Sequence, residues 1–463
     1  TILLRMKKKI SNLLKVGDFV RVPFGSTEQT GVVWNFEEES KKKIKLKQII
    51  KKLDLPGMNT SMIKFIAWFA RYNMVPLGMS LKMSLLSKDI VEKSFDQEFD
   101  QYKIGKIRKK FKLNKEQQKS LDFLEKKGDN YNVCVLEGVT GSGKTLVYFE
   151  RIKKIIFKDL QTLIMLPEIA LSNQFSTRFK DFFGFEPAIW NSKTSKKNKK
   201  IIWRGICENK IKIVIGTRSA LFLPFKKLGI IVVDEEHDAS YKQDEGIVYN
   251  ARDMAIMRAS LENIPINLVT AIPSIETYNN IVNKKYKLTS LTKRYKEASL
   301  PDFEIINLNN HELEKGKWIA KKTIQKVEYY LKKNDQILFF LNRRGYAPFV
   351  ICKKCNQKFQ CPNCSINLIF HKSLNKLLCH YCGYKSFTKR ICKDNTNCDI
   401  LMCGPGVERV YSELKKIFIN KKIKIFSSDS LKDHDSIKDF INKIENKKID
   451  ILVGTQLISK GFH

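Results

Sequence analysis

The residues best suited to chemistry begin with a glycine-rich segment at 138–145, which fits the phosphate-binding pattern GxxxxGK[ST]. The segment follows a strand-like apolar run and precedes a helix-like one, so backbone N–H groups and a helix N-terminus can face a phosphate there. We expect Lys144 to reach the outer phosphates and act in catalysis, and Thr145 to ligate Mg²⁺. The predicted nucleotide contacts are Gly138, Val139, Thr140, Gly141, Ser142, Gly143, Lys144 and Thr145.

Two adjacent carboxylates, Asp234 and Glu235, follow the apolar run GIIVV. The carboxyl ends of parallel strands meet at one edge of a sheet, beside a bound nucleotide. We therefore predict that Asp234 binds Mg²⁺ and that Glu235 orients or deprotonates the attacking water. Gln117 is a candidate adenine contact through its amide, with an exposed helix-start glutamine as the alternative. These residues predict a nucleoside triphosphatase.

Eight of the 11 cysteines lie between Cys352 and Cys398. Three pairs have the C-x₂-C spacing that presents two thiolates to one tetrahedral zinc ion, and a looser fourth pair follows. All-thiolate sites leave no coordination position for water, which favours two structural Zn²⁺ ions. The predicted ligands are Cys352, Cys355, Cys361, Cys364, Cys379, Cys382, Cys392 and Cys398. Alternative ligands are His371, His380 and Cys403, of which Cys403 could replace Cys398.

Hydrophobic patterning predicts an α/β fold with two parallel-sheet lobes. Apolar and polar residues alternate about a turn between Gly17 and Phe36, which predicts a β-hairpin, and apolar residues at helical spacing follow in 56–86. Short apolar runs then alternate with helical patterns, as in βαβ units. The predicted segments are 1–55 (β-rich module), 56–112 (helical segment and linker), 113–290 (first lobe), 291–351 (start of the second lobe), 352–403 (zinc insert) and 404–463 (rest of the second lobe).

The charge balance favours a polyanionic partner. Lysine and arginine total 85 against 48 acidic residues, a formal charge of +37, and a surplus of this size attracts nucleic acid through counterion release. AT-rich coding bias is the alternative source of the lysines, and runs such as 196–200 are interpreted as solvated loops. We find no apolar run near the roughly 18 residues that a membrane span needs. Clustered cysteines fit a reducing cytoplasm.

Several longer motifs point to one family. The segments LPEIALSNQ from Leu166, GTRSALFLPFKKLGIIVVDEEHDASYKQDEG from Gly216, LFFLNRRGYAP from Leu338 and GTQLISKG from Gly454 occur in this order, with the cysteine array before the last. In these motifs the chain resembles the primosomal protein N′ (PriA) family of superfamily 2 helicases. The resemblance implies two RecA-like lobes, ATP and Mg²⁺ as cofactors, and movement along single-stranded DNA in the 3′-to-5′ sense.

The same resemblance implies partners and further site residues. Stalled or forked DNA, primosome proteins and the replicative helicase would be the partners in replication restart, and the N-terminal module would bind a nascent 3′ end. The loop from Ser240 to Asp253 would couple DNA to the ATP site. The outer zinc site would use Cys352, Cys355, Cys392 and Cys398, and the inner site the other four. The implied DNA contacts are Thr217, Arg218, Ser219, Lys242, Tyr249 and Arg252, with arginines on phosphates and Tyr249 stacked on a base.

The sequence also departs from the family pattern. Ile247, Asn250 and Asn191 stand where Trp, His and His are common, and TAIPS from Thr270 replaces SATPS. We expect these changes to weaken the coupling between hydrolysis and DNA movement. We also expect no room for a winged helix before the first lobe. Both ends of the sequence are expected to be cut, so that the last arginine-bearing motif is not included. The main hypothesis is a replication-restart DNA helicase. The alternatives are a fork-binding scaffold with a vestigial motor and an RNA helicase.

Overall fold

The N-terminal region folds around an antiparallel β-hairpin. Strand β1 (Phe19–Phe24) pairs with β2 (Thr27–Val32), and the short β3 (Lys51–Lys52) flanks β1 on its other side. Gly25 in the connecting turn has a φ of 59°, which glycine adopts without steric cost. The predicted hairpin is confirmed.

The computed structural model describes residues 14–36, 47–85, 96–102, 111–167, 173–294, 301–308, 313, 317–341, 346–347, 349–352, 354, 357–372, 374–387, 400–426 and 434–455.

Two helices, α1 (Thr60–Tyr72) and α2 (Leu77–Ser84), follow the hairpin, as the apolar spacing of 56–86 predicts. Asn59 caps α1 by accepting a hydrogen bond from the Met62 N–H at 2.7 Å, which satisfies one of the donors that a helix start leaves unpaired. One face of α1 is apolar and buried. Its buried residues are Met62, Ile63, Phe65, Ile66, Phe69 and Ala70.

The first lobe is a parallel sheet of seven described strands, in the order β12-β4-β11-β8-β5-β7-β6. Except for the edge strand β12, its strands are mostly apolar and buried, as expected for a sheet covered on both faces. They are β4 (Val133–Gly138), β5 (Gln161–Met165), β6 (Ala188–Trp190), β7 (Ile213–Gly216), β8 (Leu228–Asp234), β11 (Ile266–Thr270) and β12 (Lys287–Leu291); β9 (Lys242–Gln243) and β10 (Tyr249–Asn250) form a separate small hairpin. The predicted α/β fold is confirmed.

Helices connect these strands, and the structure corrects one expectation about them. They are α3 (Lys115–Lys126), α4 (Lys144–Phe157), α5 (Asn173–Phe183), α6 (Lys196–Cys207), α7 (Ala251–Glu262) and α8 (Ile275–Val282). The interpretation of 196–200 as a solvated loop is wrong, because these lysines form the first turns of α6. Ser195 caps that helix by accepting a hydrogen bond from the Asn198 N–H at 3.2 Å. Trp203 of α6 is buried, with its ring edge-on to Phe19 of β1 at 5.3 Å between centroids.

The N-terminal module and the first lobe share one hydrophobic core. Phe69 of α1 packs edge-on against Phe222 of the lobe, with ring centroids 4.9 Å apart. Arg258 of α7 is fully buried, donates hydrogen bonds to the backbone carbonyls of Leu221 and Leu223, and lies 5.9 Å from the ring centroid of Phe65. The contacts place residues 1–300 in one compact unit.

The second unit covers residues 301–462. Its core is a three-stranded parallel sheet in the order β13-β20-β19, as predicted for the second lobe, and two smaller sheets carry the cysteine insert. The elements are α9 (Lys321–Lys332), β13 (Ile337–Phe340), β14 (Phe349–Cys352), β15 (Ile369–His371), β16 (Lys376–Leu378), β17 (Lys385–Ser386), β18 (Ile400–Cys403), α10 (Val407–Ile417), β19 (Ile423–Phe426), α11 (His434–Glu445) and β20 (Ile451–Gly454). Among the described helices, none is long and apolar enough to cross a membrane.

Candidate functional site

The glycine-rich loop joins the end of β4 to the start of α4, the strand–loop–helix arrangement that a phosphate site requires. Gly143 has a φ of 83°, and a Cβ there would lie only 2.3 Å from the Gln117 Nε2 atom, so glycine is required at this position. Lys144 donates a hydrogen bond from Nζ to the Gly138 carbonyl at 2.7 Å. The ammonium group is therefore held at the mouth of the loop, where an incoming phosphate can exchange with that carbonyl.

Gln117 contacts the loop rather than an open adenine site. Its Oε1 accepts the Asn114 N–H at 3.0 Å in a capping box at the start of α3, and its Nε2 donates to the Ser142 carbonyl at 2.9 Å. The side chain is completely buried. Because both ends of the amide bind backbone groups, the predicted adenine contact is not present, and the exposed alternative is also wrong. Gln117 instead positions the phosphate loop.

Asp234 lies at the carboxyl end of β8, as predicted, and two tyrosines hold it. The Tyr148 hydroxyl donates to Asp234 Oδ2 at 2.9 Å, and the Glu235 N–H donates to Oδ1 at 2.9 Å. The Tyr241 hydroxyl lies 2.6 Å from the Asp234 carbonyl oxygen and 2.9 Å from the Met165 carbonyl oxygen. Sequence reasoning missed both tyrosines; the only signal for Tyr148 is its place one helical turn after Lys144.

Burial, together with the neighbouring charge of Glu235, raises the pKa of Asp234 from 3.8 to about 6. The Tyr148 hydrogen bond opposes this shift only partly. A raised pKa means that the ionised carboxylate is costly in the absence of a cation. The site is therefore electrostatically prepared for a cation such as Mg²⁺ beside the phosphate loop.

The Asp234→Asn substitution is expected to stabilise the metal-free protein more at pH 8 than at pH 5. Since the folded pKa is raised, the wild-type carboxyl contributes stability below its unfolded value, and this contribution is lost as the pH rises through about 6. The difference between the two pH values should be about 1 to 2 kcal/mol. Urea unfolding in EDTA measures it. The Asp122→Asn variant, at an exposed position, is the control for the effect of replacing an aspartate with asparagine.

The residues after Asp234 connect the strand edge to β11 and α8. Glu235 has a φ of 49°, unusual for a residue other than glycine, and remains partly exposed to solvent. His237 Nδ1 lies 2.7 Å from the Thr270 hydroxyl oxygen at the end of β11. Strain at a solvent-accessible carboxylate is common where a side chain must be aimed at a reacting group.

Glu236 is the centre of a buried polar network that the sequence did not reveal. It is 1% exposed and accepts hydrogen bonds from the Ser274 N–H at 2.7 Å and from the Thr277 hydroxyl at 2.9 Å. Arg252 Nη1 pairs with Glu236 Oε2 at 3.2 Å. Since Arg252 is 5% exposed and its guanidinium also binds Asp253 and Ser274, its predicted role as a DNA phosphate contact is wrong. It secures the start of α7 to the strand edge.

The remaining predicted DNA contacts divide into one buried and four accessible residues. Tyr249 is 4% exposed and packs edge-on against Phe69 and Phe222, so the predicted base stacking is wrong for this side chain. The others are Thr217, Arg218, Ser219 and Lys242, all partly or fully exposed. Arg218 Nη1 donates to the Lys242 carbonyl at 2.7 Å, which joins the turn after β7 to β9. DNA contact by these four stays a prediction.

Four cysteine sulfurs of the insert converge on one point. The Sγ–Sγ distances are 3.4 Å for Cys361 to Cys382, 3.4 Å for Cys364 to Cys379 and 3.9 Å for Cys364 to Cys382, and all four sulfurs lie within 4.8 Å of one another. A tetrahedral zinc with Zn–S bonds of 2.3 Å sets its sulfurs about 3.8 Å apart. The four thiols therefore fit one structural zinc ion, with no position open for water.

Backbone groups favour the thiolate of one cysteine in this cluster, Cys379. Burial alone would raise the pKa of Cys379, but the N–H groups of Cys382 and Tyr381, together with the thiols of Cys364 and Cys382, lower it to about 6. Burial and the neighbouring thiols raise the pKa of Cys364 instead. Zinc binds cysteine as the thiolate, so the turn is already arranged for a bound cation.

The alternative ligands His371 and His380 are engaged elsewhere. Their Nε2 atoms lie 2.8 Å apart, and His371 Nδ1 lies 3.3 Å from a Glu408 carboxylate oxygen of α10. Glu408 also accepts the Lys372 N–H at 2.9 Å. The two histidines therefore connect the part of the insert that holds the four cysteines to α10 of the second lobe. The structure does not support them as zinc ligands.

The outer zinc site is only partly within the described residues. Cys352 ends β14 and is fully buried, whereas Cys355, Cys392 and Cys398 lie outside the described residues. In the β14–β18 ladder Cys352 pairs with Ile400 and Cys403 pairs with Phe349. The two cysteines are thus three ladder positions, about 10 Å, apart and on opposite faces. This register disfavours Cys403 as a partner of Cys352, and the outer site stays a prediction.

Comparison with known proteins agrees with these sites. The DEAD/DEAH box helicase model matches residues 114–281, the model of the PriA 3′ DNA-binding domain matches 5–85, and the PriA DNA helicase Cys-rich region matches 361–386. The replication restart protein PriA of Rickettsia conorii is 44% identical over 455 residues, which is 97% of this chain and 69% of that protein. The chain belongs to the PriA family.

More distant members of the PriA family show the same relationship. The PriA protein of Bacillus subtilis is 34% identical over 82% of this chain and 48% of its own length, and that of Haemophilus influenzae is 37% identical over 72% and 45%. The identification as a PriA-family helicase from sequence motifs is thereby confirmed. As a family member with a DEAD/DEAH helicase domain, the chain is an ATP-dependent DNA helicase of replication restart.

Proposed function

We propose that this PriA-family chain couples ATP hydrolysis to 3′-to-5′ movement along single-stranded DNA at stalled or forked replication structures. One observation carries the proposal: the phosphate loop, Asp234 and the turn at Thr217–Ser219 all lie at the carboxyl edge of a single parallel sheet. A nucleotide on β4 and β8 and a DNA strand near β7 would therefore contact one rigid edge.

Each residue of the nucleotide site would have a separate task. Lys144 would bind the outer phosphates and Thr145 would ligate Mg²⁺, which would also be held by Asp234. Mg²⁺ supplies charge neutralisation on the phosphates when it is bound. Glu235, with its partly exposed carboxylate, would orient the attacking water. Glu236 accepts a hydrogen bond from Ser274, which caps α8, and His237 contacts Thr270. Through these contacts, movements at the nucleotide site would be transmitted to α8.

The flanking modules would supply recognition and assembly. The N-terminal module would bind a nascent 3′ end, and the shared core around Phe69 and Arg258 would keep that end at a fixed position relative to the ATP site. Two structural zinc ions would shape the insert. We propose that the protein works in the cytoplasm with primosome proteins and the replicative helicase, which it would help to reload.

The direct test is ATP hydrolysis by the full-length protein with and without a forked DNA that bears a 3′ end at the branch. Stimulation of at least tenfold, roughly the effect of one well-placed coupling interaction, is expected for a working motor. Tight fork binding without stimulated turnover would favour the alternative of a scaffold with a vestigial motor. Equal stimulation by single-stranded RNA would favour an RNA helicase instead. Ionic strength must be fixed, because phosphate contacts weaken with salt.

A further inference from the structure

A polar cavity of about 180 Å³ lies at the same sheet edge as the phosphate loop but on other strands. Its lining includes residues that follow β5, β6 and β7, namely Pro167, Asn191 and Thr217. Ser240, Tyr241 and Gln243 also line it, and the Tyr241 hydroxyl bonds to the backbone carbonyl of Asp234. The cavity is thus next to the nucleotide site without being part of it.

The chemistry of the lining selects an anion. Lys199 and Arg218 are the charged residues among those that line the cavity. Five of the others carry a hydroxyl or amide group that can donate a hydrogen bond; they are Asn191, Ser192, Thr217, Ser219 and Ser240. Tyr241 and Gln243 already donate to backbone carbonyls and are not counted among these donors. Asn191 Oδ1 already accepts the Thr194 N–H at 2.8 Å, so the rest of that amide is a donor. Two cations with surrounding donors and no carboxylate in the lining match a phosphate.

The structure holds both cations in place before any ligand arrives. Lys199 lies in the first turn of α6, is half-buried, and has its Nζ 5.9 Å from the ring centroid of Trp190. Arg218 uses one of its guanidinium donors on the Lys242 carbonyl, and a guanidinium has five. Positioned side chains lose less conformational entropy when they bind, which favours a built site over a chance pair of surface charges.

We propose that this cavity binds one backbone phosphate of single-stranded DNA, with Lys199 as its principal cation. The inference rests on the proposed function and names a DNA contact that the sequence motifs did not. The cavity is smaller than the roughly 300 Å³ at which pockets for small-molecule ligands begin, so it suits a phosphodiester with part of its sugar. A phosphate contact reads no base, as movement along any sequence requires.

Binding of fluorescent oligo-dT to the full chain, measured by anisotropy at several salt concentrations, tests the proposal. Lys199→Ala should weaken binding roughly fivefold to tenfold at low salt and should lower the slope of log K against log salt by about 0.7, the value for one lost contact on a single strand. Lys199→Gln should behave in the same way while keeping most of the side-chain bulk. Lys199→Arg should restore both quantities.

The matched control is Lys196→Ala, which removes an equal charge from an exposed position on the first turn of the same helix. It should leave the salt slope unchanged. If Lys199→Ala and Lys199→Gln have the affinity and slope of Lys196→Ala, the cavity is not a phosphate site and the proposal is overturned. The binding assay does not depend on hydrolysis. A lack of DNA-stimulated ATPase activity would therefore count against the proposed function, whereas the comparison of binding by the variants would still decide the role of Lys199.

Discussion

Replacing Lys144 with alanine is expected to reduce DNA-stimulated ATP hydrolysis roughly 100-fold to 1000-fold, the size of effect seen when one preorganised charge is removed from a developing anion. Its ammonium group lies at the mouth of the phosphate loop, where it bonds to the Gly138 carbonyl. Because Lys144 is partly exposed and this is a single hydrogen bond, its loss should change folding stability little. DNA affinity should stay close to wild type, since the accessible predicted DNA contacts lie on other strands.

Steady-state ATP turnover with saturating single-stranded DNA, together with anisotropy, measures both expectations. Lys154→Ala is the control, because this lysine lies on the same helix, is half exposed and pairs with Glu125. It should retain wild-type turnover. Turnover by Lys144→Ala within a factor of three of wild type would show that hydrolysis occurs elsewhere.

Replacing Cys379 with serine is expected to remove one zinc ion per chain and to unfold the inner hairpin of the insert. Cys379 is buried, its sulfur lies 3.4 Å from that of Cys364, and backbone N–H groups favour its thiolate. Structural zinc contributes on the order of 10 kcal/mol to the folding of small zinc modules. The local sheet of β15, β16 and β17 has too small a core to replace that contribution.

Metal content by mass spectrometry and limited proteolysis of the insert provide the measurements. The expected zinc content falls from two ions per chain to one, with cleavage within residues 357–387. Cys403→Ser is the matched control and should keep both ions, because the β14–β18 register places this residue away from Cys352. Loss of zinc from Cys403→Ser would instead identify Cys403 as the eighth ligand.

The motifs predicted the parts of the sites that consist of contiguous residues. The phosphate loop, Asp234 at a strand end and the inner cysteine pairs lie where their patterns indicate, because each pattern fixes a local geometry: a glycine turn before a helix, a carboxylate after an apolar strand, two sulfurs on one turn. The hairpin between Gly17 and Phe36 was also predictable for this reason, since alternation and a turn are local properties.

Burial explains the predictions that the structure overturned. Gln117, Tyr249 and Arg252 have side chains that suit adenine, a base and a phosphate, and all three lie in the interior. Their partners are distant in sequence: the Ser142 carbonyl, the ring of Phe69 and the carboxylate of Glu236. A side chain's type shows which interactions it can make, but its partner depends on the packing of segments that a motif does not connect.

The sequence by itself determined the family, the reaction class and the residues that would hold phosphate and the inner zinc, because these depend on short segments with specific backbone and ligand requirements. Only the tertiary structure decided how those segments are connected. It placed Tyr148 and Tyr241 around Asp234 and Lys199 of α6 beside Arg218 in one cavity. It also packed the N-terminal module against the first lobe in a shared hydrophobic core. These contacts join residues that are far apart along the chain. They come together because the order of strands in the parallel sheet differs from their order in the sequence.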